Sequence, residues 1–385
     1  QSQFFPIGGS WVENDTNVPS GESLCRQFFF GQRFFLKYFG KKSEIFWLPD
    51  TFGYSSQIPQ LAQISGINKF LTQKLSWNNI NSFPHTTFNW SGIDGSQLLT
   101  HMPPGNTYTA DSHFGDVLRT ATQNKTSEFY GSGLMLYGKG DGGGGPTREM
   151  LEKMRRIRSL NNRNGNVIPK LHVGSTVEEF FEDILNRANT GKTLPTWCGE
   201  LYFEFHRGTY TTQAMVKKLM RLSEVKLHDL EWLATKASVL FPKDYNYPAN
   251  EINALWEDVL LCQFHDVLPG SCIEMVYKEE ALPKLEHAIK KCEKLIKQVL
   301  TVLPSGKDYI EVGTLQWPAE RPSSDNNLLL YPASVVVLDD AIVMTNKKLE
   351  VSISKSSGVI TSVVDLNSDV EYLDLKNGRN NLGGN

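Results

Sequence analysis

Three short segments of the sequence carry polar residues whose types and surroundings could do chemistry. The first is Trp47–Tyr54, which reads WLPDTFGY and places Asp50 directly after a short apolar run. An acidic residue at the end of a buried strand, followed by Thr51 and Gly53, suits a ligand site at the carboxyl edge of a parallel sheet. An aspartate that caps the next helix would give the same local pattern. The segment alone leaves both interpretations open.

The second segment is a glycine-rich loop, Tyr137–Pro146, which reads YGKGDGGGGP and carries Asp141. The glycines after Asp141 leave the backbone free of Cβ atoms, so a bulky ligand could approach closely. A phosphate cradle is a competing interpretation, but the loop has no GK[ST], and a carboxylate in its middle would repel phosphate. A loose surface loop is the other alternative.

The third segment is Leu260–Ser271, which reads LLCQFHDVLPGS. Here His265 and Asp266 interrupt an apolar helical pattern just before a Pro-Gly break. An imidazole beside a carboxylate could ligate a metal ion and hold a substrate. A histidine that caps the helix end, or one satisfied in the core, would look the same.

The elements around these segments change in character along the chain. In residues 1–175, short apolar runs alternate with polar or helical stretches, which predicts a parallel α/β sheet or barrel with ligand sites at the carboxyl ends of its strands. The predicted buried strands are Phe46–Pro49, Phe70–Thr72, Gln97–His101 and Gly133–Tyr137. Residues 176–211 form a connector, in which Val177–Ala188 predicts a helix with an acidic first turn.

Residues 212–303 predict a helical domain, because apolar residues recur at intervals of three and four. Its three stretches are Ala214–Phe241, Glu251–Phe264 and Ile273–Val302. Residues 304–385 switch to β-branched alternation, which predicts the start of a C-terminal β domain of the sandwich kind.

The composition is that of a globular protein with more than one domain, since 385 residues exceed one average core. The formal charge of −3 argues against a nucleic-acid partner. The basic cluster Lys153–Arg163 is more simply explained as a solvated helix end. No run approaches the roughly 20 apolar residues that span a bilayer, so no membrane association is expected.

The five cysteines are scattered and show no CxxC spacing. This pattern disfavours a thiolate zinc site and a disulfide framework, and it favours a reducing compartment. Glycosylation sequons begin at Asn14, Asn89 and Asn124, but a chain so rich in Asn contains that many by chance. We therefore expect a cytoplasmic protein, with the vacuole or lysosome as the alternative.

Together, the segments resemble glycoside hydrolase family 38, in particular its cytosolic and vacuolar α-mannosidase branch. The resemblance covers nearly all of the chain and includes three further segments: Gly8–Glu13, Phe70–Trp77 and Trp197–Thr212. It implies an α/β barrel of the seven-stranded type, present here in part, followed by a three-helix middle domain and a β-rich region.

The resemblance also implies roles for individual residues. Asp50 matches the family's nucleophile, which also ligates zinc, and Asp141 matches its general acid/base. His265 is similar to the zinc ligand from the helical domain, and Asp266 and Phe52 resemble residues that line the sugar site. Co²⁺ could replace Zn²⁺, because His and carboxylate ligands suit both ions.

The activity implied is removal of terminal α-linked mannose from oligosaccharides by a retaining, metal-assisted double displacement. Such an enzyme needs two carboxyl groups about 5–5.5 Å apart, one to attack the anomeric carbon and one to protonate the leaving oxygen. A Zn²⁺ ion that grips the 2- and 3-hydroxyls of mannose can fix the ring. A homo-oligomer of the full-length protein is compatible with the resemblance.

One departure concerns the metal site. The family has a His-x-Asp pair near the start of its barrel, and none of the eight histidines of this chain begins such a motif. We therefore expect a fragment that starts after that pair and holds two of four zinc ligands, Asp50 and His265. The isolated chain is expected to bind zinc weakly and to lack turnover.

Two other functions fit parts of the pattern. A metal-dependent carbohydrate deacetylase also sets Asp and His around zinc, but it needs no acid such as Asp141. A sugar-binding fragment without turnover is the non-enzymatic alternative. Its stacking residues would come from four tryptophans, which could equally belong to the core: Trp11, Trp47, Trp77 and Trp90.

Overall fold

The computed structural model describes residues 3–141, 143–164, 169–188, 193–303, 314 and 333–373. Contacts between residues divide the chain into two units, Gln1–Ile310 and Glu311–Asn385. The first unit contains a mixed sheet followed by long helices, and the second contains an antiparallel sheet. The finer domain boundaries expected from the sequence stay predictions.

The described strands of the first unit form a five-stranded sheet in the order β1-β2-β4-β3-β5. They are β1 Ile45–Trp47, β2 Lys69–Leu71, β3 Thr87–Ser91, β4 Gln97–His101 and β5 Thr196–Cys198. Strands β1, β2 and β4 are parallel, and β5 is parallel to β3. The predicted strands at Phe46, at Phe70 and over Gln97–His101 are therefore confirmed. The seven-stranded barrel stays a prediction.

The predicted parallel sheet also contains an antiparallel pair, β3 and β4. The chain between them is a short turn in which the Gly92 N–H donates to the Ser96 carbonyl at 2.8 Å. So short a connection can join only antiparallel strands, because a parallel pair needs a crossover of a dozen or more residues.

The predicted strand Gly133–Tyr137 is also wrong. Only Tyr137 pairs, through an isolated bridge to Ala110. The Leu134 N–H donates instead to Nε2 of the buried His101, at 3.2 Å. The apolar run therefore lies beside the end of β4 and does not extend the sheet.

The described part of this region has five helices, α1 Gly21–Phe39, α2 Ile58–Ile64, α3 Phe114–Thr122, α4 Arg148–Asn164 and α5 Val177–Ala188. Three of them, α1, α2 and α5, cover the two faces of the sheet. One core cluster packs α1 and α2 against Phe46 and Phe70, and a second packs α5 against Ile45 and Leu71. Neighbouring residues of a strand face opposite sides, so even three-residue strands contribute to both cores. The predicted helix over Val177–Ala188 is confirmed.

The helical region has the three long members that the periodicity predicts. They are α6 Ala214–Leu240, α7 Ala249–Leu261 and α9 Leu282–Val302, the last preceded by the short α8 Glu274–Val276 and a π-helical turn, Tyr277–Ala281. The Glu224 carboxylate of α6 accepts from the Ser20 N–H at 2.9 Å and from the Ser23 hydroxyl at 2.7 Å. This buried carboxylate fixes the start of α1 against α6.

The second unit is an antiparallel meander of neighbouring strands. The strands are β6 Ser334–Val337, β7 Ala341–Thr345, β8 Leu349–Ser354, β9 Ile360–Asp365 and β10 Val370–Glu371. The prediction of β structure here is confirmed within residues 333–373. Of residues 304–385, for which the sequence predicts β structure, only 314 and 333–373 are described.

Gly31 allows α1 to approach the segment that leads to Glu13, and it provides a stability test. A Cβ added at Gly31 would lie 2.3 Å from the carbonyl carbon of Ser10 and 2.6 Å from the carbonyl oxygen of Gly9. Backbone atoms cannot move aside cheaply, so we expect Gly31→Ala to lower the free energy of unfolding by about 3 kcal/mol. The measurement is the urea midpoint followed by tryptophan fluorescence.

Gly21 is the matched control, because it begins the same helix and an added Cβ meets nothing within 4 Å. Gly21→Ala should change the free energy of unfolding by no more than about 0.5 kcal/mol. Equal midpoints for the two variants would contradict the close approach at Gly31.

Candidate active site

Asp50 follows β1 and lies between two cationic side chains. Its Oδ1 forms an ion pair with the Lys74 ammonium, and its Oδ2 is 3.6 Å from Nε2 of His265. Its backbone N–H donates to the Glu13 carboxylate. The next helix, α2, begins at Ile58 with Gln57 as its N-cap, so the helix-capping alternative for Asp50 is excluded.

His265 and Asp266 lie in the turn after α7, which ends at Leu261. The His265 N–H donates to the Glu13 carbonyl at 2.9 Å, and Nδ1 of its ring is 3.3 Å from the same oxygen. Nε2 lies 3.4 Å from Oδ2 of Asp266. The imidazole is buried with Nε2 directed at two carboxylates, and Cys262, not His265, is the C-cap of α7.

Charged groups at this site shift one another's pKa values. Burial alone would lower the pKa of His265, but nearby carboxylates, chiefly Asp266 and Asp50, raise it to about 10. Burial would raise the pKa of Asp50, but His265 and Lys74 outweigh burial and lower it. Burial raises the pKa of Glu13, and hydrogen bonding to His265 lowers that of Asp266. Without metal, the folded site therefore holds a protonated imidazole at neutral pH.

Lys74 is a site residue that the sequence reasoning missed. It begins the 3₁₀ turn Lys74–Trp77, just after β2. Its side chain is only 2% exposed, and its ammonium lies 3.8 Å from the centroid of the Trp77 ring. Asp50 follows β1 and Lys74 follows β2, and these strands are parallel neighbours. Residues that follow neighbouring parallel strands lie at the same edge of the sheet, and this relation could have predicted that Lys74 lies near Asp50.

Asp141 reaches the same site through Tyr108. The loop is closed by two backbone hydrogen bonds between Lys139 and Gly145, of 2.7 and 3.1 Å, and Asp141 is exposed with a left-handed φ of 51°. The Tyr108 hydroxyl donates to Oδ1 of Asp141 at 3.3 Å and also interacts with Asp50. Tyr108 was also missed by the sequence reasoning.

Phe52 lies behind the imidazoles. It is 6% exposed, and its ring meets those of His206 and His265 edge-on, with centroids 4.7 and 6.0 Å apart. The structure thus brings all five predicted site residues to one edge of the sheet and adds three others: Glu13, Lys74 and Tyr108.

Comparison with known families identifies the chain. Residues 1–200 match the model described as "Glycosyl hydrolases family 38 N-terminal domain", and residues 204–303 match "Alpha mannosidase middle domain". The first match alone covers more than half of the chain. The chain belongs to glycosyl hydrolase family 38. This confirms the resemblance found in the sequence.

Curated relatives of this family 38 chain are alpha-mannosidases. That of Saccharomyces cerevisiae (strain ATCC 204508 / S288c) is 71% identical over 389 residues, which cover 100% of this chain and 36% of the relative. Alpha-mannosidase 2C1 of Homo sapiens is 45% identical over 321 residues, covering 82% of this chain and 30% of the relative. The family 38 chain thus spans about a third of the length of these relatives.

A solved structure agrees with the fold. The crystal structure of an alpha-mannosidase from Enterococcus faecalis V583 superposes with a TM-score of 0.63 and 15% identity, over 95% of this chain and 52% of that one. At this identity the likeness shows the fold alone. Within the described ranges, no helix is both long and apolar enough to cross a membrane.

The sequence predicts a zinc site, and the donors around His265 fit such an ion in part. Two ligands of one tetrahedral Zn²⁺ lie about 3.4 Å apart, since each bond is about 2.1 Å. The 3.6 Å between Nε2 of His265 and Oδ2 of Asp50 is close to that spacing. A proton on Nδ1, directed at the Glu13 carbonyl, would leave Nε2 free for the metal. No group of three or more His, Cys, Asp or Glu side chains in the described part of the chain is arranged to hold a metal ion.

The pKa of His265 predicts how the metal-free protein responds to pH. The folded value of about 10 lies above the ordinary 6.5. The charged imidazole therefore stabilises the fold fully below pH 6.5, and this contribution is lost as the pH rises toward 10. With a chelator present, His265→Asn should lower the urea midpoint at pH 6 and much less at pH 10.

The control for this pH series is His287→Asn, because His287 is exposed on α9. It should change the urea midpoint little at either pH. A penalty for His265→Asn that stayed constant from pH 6 to pH 10 would contradict a protonated His265 in the metal-free fold.

Proposed function

We propose that the full-length protein is a retaining α-mannosidase that removes terminal α-linked mannose from oligosaccharides. The observation that carries the proposal is the Tyr108 hydroxyl, which interacts with both Asp50 and Asp141. Glycoside hydrolysis needs two carboxyl groups on either side of the scissile bond, and these two come from loops 91 residues apart. The names of the curated relatives support mannose as the sugar.

In this proposal Asp50 is the nucleophile. The ion pair with Lys74 holds Asp50 ionised, which attack on the anomeric carbon requires. Lys74 would also stabilise the carboxylate that leaves when water hydrolyses the glycosyl-enzyme. The backbone N–H of Asp50, bound to Glu13, keeps the carboxylate in place.

Asp141 is the general acid/base. It would protonate the leaving oxygen in the first step and then accept a proton from water in the second. The Tyr108 hydroxyl orients its carboxyl group. Asp141 is exposed, so enclosure of this group would come from the bound oligosaccharide or from other parts of the full-length protein.

Asp50 and His265 would hold a Zn²⁺ ion, or Co²⁺ in its place, together with ligands from outside these 385 residues. When bound, the ion would supply a Lewis acid for the 2- and 3-hydroxyls of mannose. Asp266 accepts from the Ser271 hydroxyl at 2.7 Å and remains partly exposed, so it can also accept from a sugar hydroxyl. Phe52 would support the sugar site from behind His265.

We further propose a cytoplasmic location, which the five free cysteines support. The deacetylase alternative has no role for the contact between Tyr108 and Asp141. Release of acetate instead of mannose from the substrate would support the deacetylase alternative. A homo-oligomer of the full-length protein stays a proposal.

Replacing the nucleophile tests the central assignment. In the full-length protein, Asp50→Asn removes the attacking carboxylate and one charged metal ligand. We expect turnover to fall at least about a thousandfold, equivalent to about 4 kcal/mol of transition-state stabilisation, and bound zinc to fall as well. Turnover is measured with an aryl α-mannoside, and zinc by elemental analysis.

Asp94→Asn is the control for this substitution, since Asp94 lies in the exposed turn between β3 and β4. It should leave turnover and zinc content unchanged. If Asp50→Asn kept a tenth of the wild-type turnover, the nucleophile would have to be another residue.

The acid/base role predicts a dependence on the leaving group. Asp141→Ala should slow unactivated oligosaccharides far more than activated aryl α-mannosides, because a good leaving group needs little protonation. Azide should partly restore turnover of the aryl substrate, since it attacks the glycosyl-enzyme without a general base. Initial rates on both substrates, with and without azide, provide the measurement.

The matched control is Asp111→Ala, which breaks the 2.9 Å ion pair between Asp111 and Lys139 at the base of the loop. Loop disruption alone should affect both substrates to a similar degree. If Asp141→Ala behaved in the same way and azide had no effect, Asp141 would not be the acid/base.

A further inference from the structure

The structure shows how far each of the four tryptophans named in the sequence analysis is buried and which one is exposed. Trp90 is fully buried, and its indole N–H donates to the Gly199 carbonyl at 2.7 Å. Trp47 packs against the core beneath α5, and the Trp11 ring packs edge-on against the Phe30 ring. Trp77 is 43% exposed. Of these four, it alone offers a large open indole surface beside the candidate catalytic carboxylates.

Lys74 determines which face of Trp77 is open. The Lys74 ammonium lies 3.8 Å from the centre of the indole and also forms the ion pair with Asp50. Because Lys74 itself is buried, the exposed area of Trp77 belongs to the opposite face and the ring edges. The face turned toward the nucleophile is therefore occupied, and the open face is turned away from it.

The segment after Trp77 is fixed to the protein by hydrogen bonds to Tyr202 and Glu204. The Glu204 carboxylate accepts from the backbone N–H groups of Ile80 and Asn81. Asn78 donates to the Tyr202 carbonyl at 3.1 Å and accepts from the Glu204 N–H at 3.1 Å. Glu204 is 5% exposed. An exposed indole held this firmly can bind a ring without losing much conformational freedom.

We propose that Trp77 is a stacking platform for a sugar ring on the leaving-group side of the cleaved bond. A pyranose presents a face of C–H groups, which is stabilised by burial against an aromatic ring. The terminal mannose must lie at Asp50, so the open face of Trp77 is available to the next sugar. This inference rests on the proposed mannosidase function and adds a binding site for the second residue of the substrate.

Neighbouring aromatic residues extend the same surface. The His206 ring stands edge-on to Trp77, with centroids 6.4 Å apart, and Phe205 is 53% exposed with its ring 5.3 Å from that of His206. Exposed rings in a row suit an oligosaccharide, whose successive sugars present alternating polar edges and apolar faces.

The test compares substrates with and without a second ring in the full-length enzyme. The single-ring substrate is α-mannosyl fluoride, and the two-ring substrate is the α-linked mannobiose that the enzyme cleaves fastest. We expect Trp77→Ala to lower kcat/KM for the mannobiose about tenfold more than for the fluoride, mainly through KM. Trp77→Phe keeps an aromatic face and should recover most of the loss.

Trp232→Ala provides the matched control. Trp232 is 37% exposed on α6, and the Lys236 ammonium lies 5.0 Å from its ring centroid, so it has similar exposure and a similar cationic neighbour. It should leave the ratio of the two kcat/KM values unchanged.

The outcomes separate this inference from the function on which it rests. Wild-type enzyme that cleaved neither substrate would overturn the mannosidase function itself. Cleavage of both substrates by the wild type, with equal losses in Trp77→Ala, would overturn the stacking role. In that case Trp77 would only support Lys74, or another part of the full-length protein would cover it.

Discussion

The candidate site depends on one pairing of backbone segments that are far apart in the chain. Glu13 and His265, 252 residues apart, are joined by the hydrogen bond from the His265 N–H to the Glu13 carbonyl. The side chain of Glu13 accepts the N–H of Asp50 as well. One residue thereby fixes both the proposed nucleophile and the proposed metal ligand. Gly31 lets α1 lie close to the segment before Glu13, and the buried Glu224 fixes the start of α1 against α6.

Charge balance is the second constraint. Asp50, Asp266 and Glu13 lie around His265 and Lys74, and most of these groups are shielded from water. Buried charges are tolerated only when they are paired, so each acidic group here has a cationic neighbour. Lys74 has two neighbours at once, since its ammonium contacts Asp50 and faces Trp77. The Lys74 ammonium therefore connects the carboxylate of the proposed nucleophile with the exposed aromatic surface.

The helices were predictable because their signals are local. The repeats of three and four residues in Ala214–Leu240 and Leu282–Val302 reflect contacts along single helices. The strands were less predictable from the sequence than the helices. Thr87–Ser91, which mixes polar and aromatic residues, and the three-residue Thr196–Cys198 were missed, although each pairs within the sheet. The apolar run Gly133–Tyr137 resembles a strand but finds no neighbouring strand to pair with along its length.

The sequence by itself determined the family. It also determined the order of the regions, in which a sheet comes before the helices and the β structure comes last. It indicated Asp50, Asp141 and His265 as the residues whose side chains could do chemistry. Motifs and periodicity are properties of the chain that need no neighbours. Only the tertiary structure excluded the helix-capping alternatives for Asp50 and His265, because a capping side chain and a ligand-facing one look alike until their contacts are known. It also brought in Glu13, Lys74 and Tyr108, whose roles come from oxygens and ammonium groups that meet only when distant segments pack together.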